Sequence, residues 1–100
     1  MKFRELRGAI TDLDEALGHY ARIHATLVQS LADEVRVAKQ RITAQPDAWQ
    51  ALGAGLRRCL LRRFPYAIIY RVSAEEIVIV AYAHQRRRPG YWRSRLRPPD

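Results

Sequence analysis

Two runs of apolar, β-branched and aromatic residues dominate the second half of the chain. They cover residues 66–72 and 77–83, and a polar link of hairpin length, residues 73–76, separates them. Because apolar side chains fall on both faces of each run, the pattern predicts two antiparallel strands in the centre of a sheet. Strict alternation along the second run would place Ile79 and Tyr82 on opposite faces of that sheet.

The first half of the chain shows helical periodicity instead. Apolar residues recur at helical spacing and Thr11 begins a motif like a capping box, which predicts a first helix over residues 11–23. A second apolar stripe follows a similar motif at Thr26 and stops before Pro46, which predicts a second helix that runs to residue 44. The short link between the helices predicts an antiparallel helical hairpin.

The remaining segments complete the predicted fold. Residues 56–64 alternate arginine with apolar side chains and predict a further strand, which Pro65 ends. Residues 1–6 carry a weak strand signal, and residues 45–55 are rich in turn-forming residues and predict a connector. The order β-α-α-β-β-β predicts one α+β domain over residues 1–100, with the helical hairpin packed on one face of a small antiparallel sheet. The residues expected in its core are Leu31, Val35, Tyr66, Ile68, Tyr70, Ile77 and Ile79.

Positive charge is concentrated in the second half of the chain. Residues 1–56 carry seven basic and seven acidic residues, whereas residues 57–100 carry eleven arginines and three acids, so the net charge of +8 lies in the second half. Arginine pairs with phosphate and carboxylate groups in bidentate geometry. The asymmetry predicts a polyanionic partner, either a nucleic acid or an acidic protein segment. A hydrated arginine face is the alternative.

The sequence lacks the features typical of disulfide-bonded, metal-binding, secreted and membrane proteins. Cys59 is the only cysteine, so no internal disulfide can form, and its place in a predicted strand indicates a buried side chain rather than a reactive thiol. Neither His19 nor His24 has a partner at a metal-binding spacing, so we expect no metal site and no cofactor. The absence of a signal-peptide segment and of any run of about 20 apolar residues predicts a cytoplasmic protein without membrane spans.

The last predicted strand leads into a basic, aromatic tail, residues 84–95. Cleavage of RNA without a metal ion requires a base, a cation beside the phosphorane and an acid for the leaving oxygen. Histidine is the usual proton carrier near neutral pH. The candidates for these catalytic roles are His84, Arg58, Arg62 and Tyr91. The alternative for His84 is a strand-end residue that is hydrogen-bonded to neighbouring backbone.

Cations and aromatic rings alternate through the tail, as base stacking or cation–π contacts require. The residues expected to bind a nucleic acid or another target are Arg57, Arg63, Arg86, Arg87, Arg88, Trp92, Arg93 and Arg95. We expect that removal of the tail from Arg86 onward leaves the sheet folded. The alternative is that Trp92 packs back on the sheet while the arginines stay hydrated.

Several of these motifs resemble those of the RelE/ParE superfamily of type II toxin–antitoxin toxins. They are Arg57, the turn 63–66, Ile69 and Tyr70, the strand 77–83, and the tail motif His84-x-x-Arg87-x-Pro89-x-Tyr91-Trp92. The predicted elements also follow one another in the superfamily order over nearly the whole chain. The resemblance implies a bacterial toxin that arrests growth, and an acidic cognate antitoxin that neutralises it in a toxin–antitoxin hetero-oligomer.

The resemblance implies one of two targets, mRNA on the ribosome or DNA gyrase. Ribonuclease members of the superfamily share no fixed catalytic set, and the lysines that some of them use are missing from residues 57–100. A metal-independent endoribonuclease and a non-catalytic gyrase inhibitor therefore stay open as mechanisms. A degenerated toxin and a non-toxic nucleic-acid-binding module are further alternatives, because a fold alone does not decide function.

Overall fold

Two helices and five strands follow one another in the computed structural model, which describes residues 1–97. In chain order they are β1 (Lys2–Glu5), α1 (Arg7–Ala21), α2 (Ala25–Ala44), β2 (Gln50–Gly53), β3 (Leu56–Leu60), β4 (Tyr66–Val72) and β5 (Glu76–His84), followed by a 3-10 helix (Arg93–Leu96). The strands form one sheet in the order β1-β5-β4-β3-β2. The predicted α+β class is confirmed. No helix within residues 1–97 is long and apolar enough to cross a membrane.

The sheet is mixed rather than wholly antiparallel. β1 pairs in parallel with β5, whereas the other neighbouring strands pair antiparallel. The parallel pair arises because the helical hairpin carries the chain across the sheet between β1 and the later strands. β1 is four residues long, so it covers only the first part of the outer edge of β5.

β2 lies within the segment that was predicted to be a connector. Gly53, Ala54 and Gly55 all have positive φ angles, of 88°, 54° and 77°. Left-handed backbone at consecutive positions closes a tight hairpin, and glycine adopts it without steric cost. The turn-forming residues therefore join two paired strands, and the edge strand β2 was missed because it is only four residues long.

Both helices begin differently from the prediction. α1 begins directly after Leu6, without a side-chain cap, so Thr11 lies inside the helix. The N–H of Leu6 donates to the Ile79 carbonyl oxygen of β5 at 2.9 Å, so contact with the sheet fixes this helix start. At α2 the N-cap is His24, whose Nδ1 accepts from the backbone N–H of Thr26 at 3.1 Å. The imidazole thus fills the capping role predicted for Thr26.

β3 ends at Leu60 rather than at residue 64. The carboxylate of Glu34 on α2 accepts hydrogen bonds from the backbone N–H groups of Arg62 and Arg63. These bonds hold residues 61–65 in a turn against α2. Arg62 therefore does not share a strand face with Arg58, as the alternating pattern predicted.

A β-bulge interrupts β5. The register between β4 and β5 slips by one residue, which leaves Val80 without a direct partner on β4. Beyond the bulge the side chains change faces, so Tyr82 packs in the same cluster as Ile79, whereas strict alternation predicted opposite faces. The bulge also turns His84 toward α1, where it lines a small cavity together with Glu15.

The helical hairpin covers one face of the sheet, and all seven predicted core residues are buried there. Cys59 joins this cluster at 2% exposure, and burial raises the pKa of its thiol. The opposite face carries a second apolar cluster of Leu56, Ala67, Ile69, Val80, Ala81 and Trp92. Trp92 packs on the sheet at 5% exposure, as the alternative interpretation of the tail predicted, and removal of the tail would uncover this cluster.

Buried tyrosines predict a loss of stability at alkaline pH. The hydroxyl of Tyr70 donates to the carbonyl oxygen of Pro46 at 2.7 Å, and burial raises its pKa from 10.0 to about 12. The unfolded chain releases this proton near pH 10 and the folded chain holds it, so stability is complete below pH 10 and falls toward pH 12. We expect the melting temperature to drop between pH 10 and 12, and to drop less in Tyr70→Phe. An equal drop in both proteins would contradict this assignment.

Candidate target-binding site

A cleft of about 210 Å³ lies between the tail and the sheet face that the helices leave uncovered. Its apolar floor consists of Leu52, Leu60, Ala67, Ile69 and Trp92, and its polar rim includes Arg58, His84, Arg87, Arg88 and Arg93. We call this site the basic cleft. β2, β3 and β4 supply this floor together with Trp92 of the tail, and the turn after β5 brings the tail arginines over it.

Three of the four predicted catalytic residues line the basic cleft, namely Arg58, His84 and Tyr91. Arg62 does not, because the turn after β3 carries it to a separate groove beside α2. Arg58 donates from Nε to Oε1 of Gln50 at 3.1 Å, which fixes its guanidinium at the end of the cleft near β2.

The predicted target-binding residues fall into two groups. Arg87, Arg88, Trp92 and Arg93 line the basic cleft, and Arg86 is exposed on the same turn. The others lie elsewhere and have other contacts. Arg57 donates to the carbonyl oxygen of Trp49 at 2.7 Å, Arg63 lines the groove beside α2, and Arg95 forms an ion pair with Asp12 at 2.7 Å.

His84 is held by the backbone that follows it. Its Nδ1 accepts a hydrogen bond from the N–H of Arg86 at 3.0 Å, and its ring packs edge-to-face on Tyr66 at 5.0 Å between centroids. With Nδ1 as acceptor, the neutral ring carries its proton on Nε2. A general base needs a free lone pair, and this arrangement leaves only an N–H donor.

The hydroxyl of Tyr91 is also engaged in a hydrogen bond within the protein. It donates to Oδ2 of Asp12 at 3.0 Å. Burial, together with the charge and hydrogen bond of Asp12, raises the pKa of Tyr91 to about 12. The proton is therefore tightly held and directed at Asp12 instead of at a bound substrate.

Two arginines of the tail are stacked on aromatic rings. The guanidinium of Arg87 lies 3.9 Å from the centroid of Tyr91, and that of Arg93 lies 4.8 Å from the centroid of Trp92. Within residues 1–97, neither guanidinium forms a salt bridge. Stacking fixes each cation while its N–H groups stay free to bind an anionic group.

Sequence reasoning missed Asp12, which is 7% exposed. Its signal is a carboxylate in the buried stripe of α1, between Ala9 and Ala16, which are both buried. Such a position requires a partner for the charge. No group of three histidine, cysteine or acidic residues in the described part of the chain could hold a metal ion.

Comparison with known proteins identifies the family. A family model described as the ParE toxin of the type II toxin–antitoxin system parDE matches residues 6–89. A solved structure titled "Chromosomal ParDE TA system from P. aeruginosa" has the same fold, with a TM-score of 0.71 and 23% identity over 84% of this chain and 95% of that chain. No curated protein sequence matches. The matched segment contains both helices and strands β2 to β5, and a toxin of this type has a cognate antitoxin as its partner. The chain therefore belongs to the ParE toxin family and is the toxin component of a type II toxin–antitoxin system.

Proposed function

We propose that this toxin arrests growth by binding DNA gyrase in the cytoplasm, without cleaving mRNA. The observation that carries the proposal is the state of the two candidate proton carriers. Nδ1 of His84 and the hydroxyl of Tyr91 are both engaged in hydrogen bonds inside the protein. Metal-independent RNA cleavage needs both a free base and a free acid, whereas inhibition by binding needs neither.

The basic cleft supports a binding role. Its stacked arginines, Arg87 and Arg93, present N–H groups beside an apolar floor, which suits a partner with acidic and apolar side chains. The same charge excess favours an acidic antitoxin, which would form a hetero-oligomer with the toxin.

An endoribonuclease is the second candidate, because Arg58, His84 and Arg87 line one cleft. A cation and an imidazole N–H donor beside each other could stabilise a phosphorane. For His84 to act as the general base as well, the hydrogen bond between its Nδ1 and the N–H of Arg86 would have to open when the substrate binds.

Growth arrest combined with mapping of mRNA ends separates the two mechanisms. We expect the wild-type toxin to inhibit gyrase supercoiling in a purified system, and to arrest cells without new mRNA 5′ ends in primer extension. His84→Ala should also produce no new ends. New ends that appear with the wild type and fall by roughly 10²-fold with His84→Ala, the scale of acid–base catalysis, would establish the ribonuclease and refute our proposal.

A further inference from the structure

The carboxylate of Asp12 joins α1, β5 and the tail. Its Oδ2 accepts hydrogen bonds from the backbone N–H of Tyr82 at 3.1 Å, the hydroxyl of Tyr91 at 3.0 Å and Nη1 of Arg95 at 2.7 Å. Its Oδ1 accepts from Nη2 of Arg95 at 3.0 Å. A buried carboxylate with four donors is strongly bound to each of the elements that supply them.

This network completes the edge of the sheet. β1 ends at Glu5, opposite Ile79, so the outer edge of β5 beyond that point has no neighbouring strand. The N–H of Tyr82 there donates to Asp12, and the carbonyl oxygen of Val80 accepts from Nη1 of Arg95 at 3.0 Å. The two side chains therefore satisfy the backbone groups that a longer β1 would have paired.

The tail reaches this edge by crossing α1 at Gly8. A Cβ on Gly8 would lie 2.7 Å from Cζ of Arg95, so a larger residue would displace the guanidinium. The guanidinium groups of both Arg95 and Arg87 lie near the ring of Tyr91, at 5.1 Å and 3.9 Å from its centroid. The carboxylate is thus linked through Tyr91 to an arginine of the basic cleft.

We propose that Asp12 is a positioning residue for target binding, which acts through Tyr91 and Arg95 to hold residues 86–93 in their binding arrangement. This segment contains no helix or strand before the 3-10 helix at Arg93. Without the anchor, its order would have to be acquired on binding, at a cost in conformational entropy. The inference rests on the proposed function in so far as the tail binds the target, and it holds whichever target that is.

Asp12→Asn is the first test, with Glu5→Gln as its matched control. Glu5 is a partly buried carboxylate that likewise accepts from a tyrosine hydroxyl, that of Tyr82 at 2.8 Å, but its hydrogen-bond partners, Tyr82 and Lys39, lie outside the tail. We expect Asp12→Asn to need about tenfold more toxin for growth arrest and for gyrase inhibition. In a Trp49→Phe background, acrylamide should quench Trp92 more strongly in Asp12→Asn than in Glu5→Gln.

Gly8→Ala tests the same anchor without changing any hydrogen-bonding group, and covers the case in which Asp12→Asn does not fold. Its matched control is Gly18→Ala in the same helix, where the nearest atom to a new Cβ is 3.8 Å away. We expect Gly8→Ala to lose toxicity and to expose Trp92 to acrylamide. Gly18→Ala should do neither and should raise the melting temperature, since alanine favours a helix over glycine.

Each outcome decides a separate point. Unchanged quenching of Trp92 in both Asp12→Asn and Gly8→Ala would show that the network does not hold the tail. Increased quenching of Trp92 in these variants with full toxicity would show that order in the tail does not matter for target binding. Either result overturns the inference. Growth arrest by the wild type without gyrase inhibition would overturn only the choice of gyrase, because the toxicity ratios between variants do not depend on the target. A wild type that arrests no growth would overturn both proposals.

Discussion

Ile79→Ala is expected to lower the free energy of unfolding by about 2–5 kcal/mol, the range for deletion of a buried large side chain. Ile79 is fully buried in β5, between β1 and β4, and packs in the cluster beneath the helical hairpin. Its removal leaves a cavity between the sheet and the helical hairpin, and the surrounding structure can close this cavity only in part.

Denaturant unfolding of Ile79→Ala measures this loss directly. Ile23→Ala is the matched control, because the same side chain is 59% exposed at that position. The control should change the stability by less than about 0.5 kcal/mol. A similarly small change in Ile79→Ala would mean that β5 is not a buried interior strand of the folded protein in solution.

The second large effect is expected at the basic cleft. Reversal of two charges in Arg87→Glu/Arg93→Glu should raise the toxin concentration needed for growth arrest by about 100-fold or more. Each substitution removes a charge-assisted hydrogen bond worth about 1.5–3 kcal/mol and adds repulsion from an anionic partner. Both side chains are exposed, so the fold should persist. Toxicity, gyrase inhibition and melting temperature are the measurements.

Arg22→Glu/Arg36→Glu is the control for net charge, since both of these arginines are exposed on the helical side and the change in charge is the same. We expect this pair to lose little activity. Equal losses in the two double variants would show that overall charge, not the basic cleft, carries the binding. The affinity of the wild type should also fall as salt rises, because exposed charges are screened.

The hydrophobic periodicity of the sequence was sufficient to predict the two helices and the two long strands of the fold. The two apolar runs became β4 and β5, and the two helical stripes became α1 and α2, because each pattern reflects burial against a large neighbouring surface. The bulge at Val80 left no such signal. β5 is apolar on both faces, so a slip of one residue exchanges one buried side chain for another and leaves the hydrophobic pattern unchanged.

The positions of the basic-cleft residues could be predicted only where the order of neighbouring strands determines them. Arg58 lies in β3 and His84 ends β5, and these two strands flank β4, so the strand order places both residues at one cleft. The position of Arg62 depends instead on Glu34, which is 28 residues away in sequence. The capping role of His24 was also missed, because an imidazole is an uncommon N-cap compared with serine, threonine or aspartate.

The Asp12 network has a consequence for biosynthesis. Arg95 follows Asp12 by 83 residues, so the ribosome makes the acceptor long before it makes the donors. Until then the outer edge of β5 and the second apolar face stay uncovered, and the tail arginines are absent. A nascent chain that lacks Arg95 therefore has no Asp12 anchor for the basic cleft. If the cleft binds the target as proposed, toxicity would begin only after the tail is made, and the antitoxin would have an interval in which to meet the chain before that point.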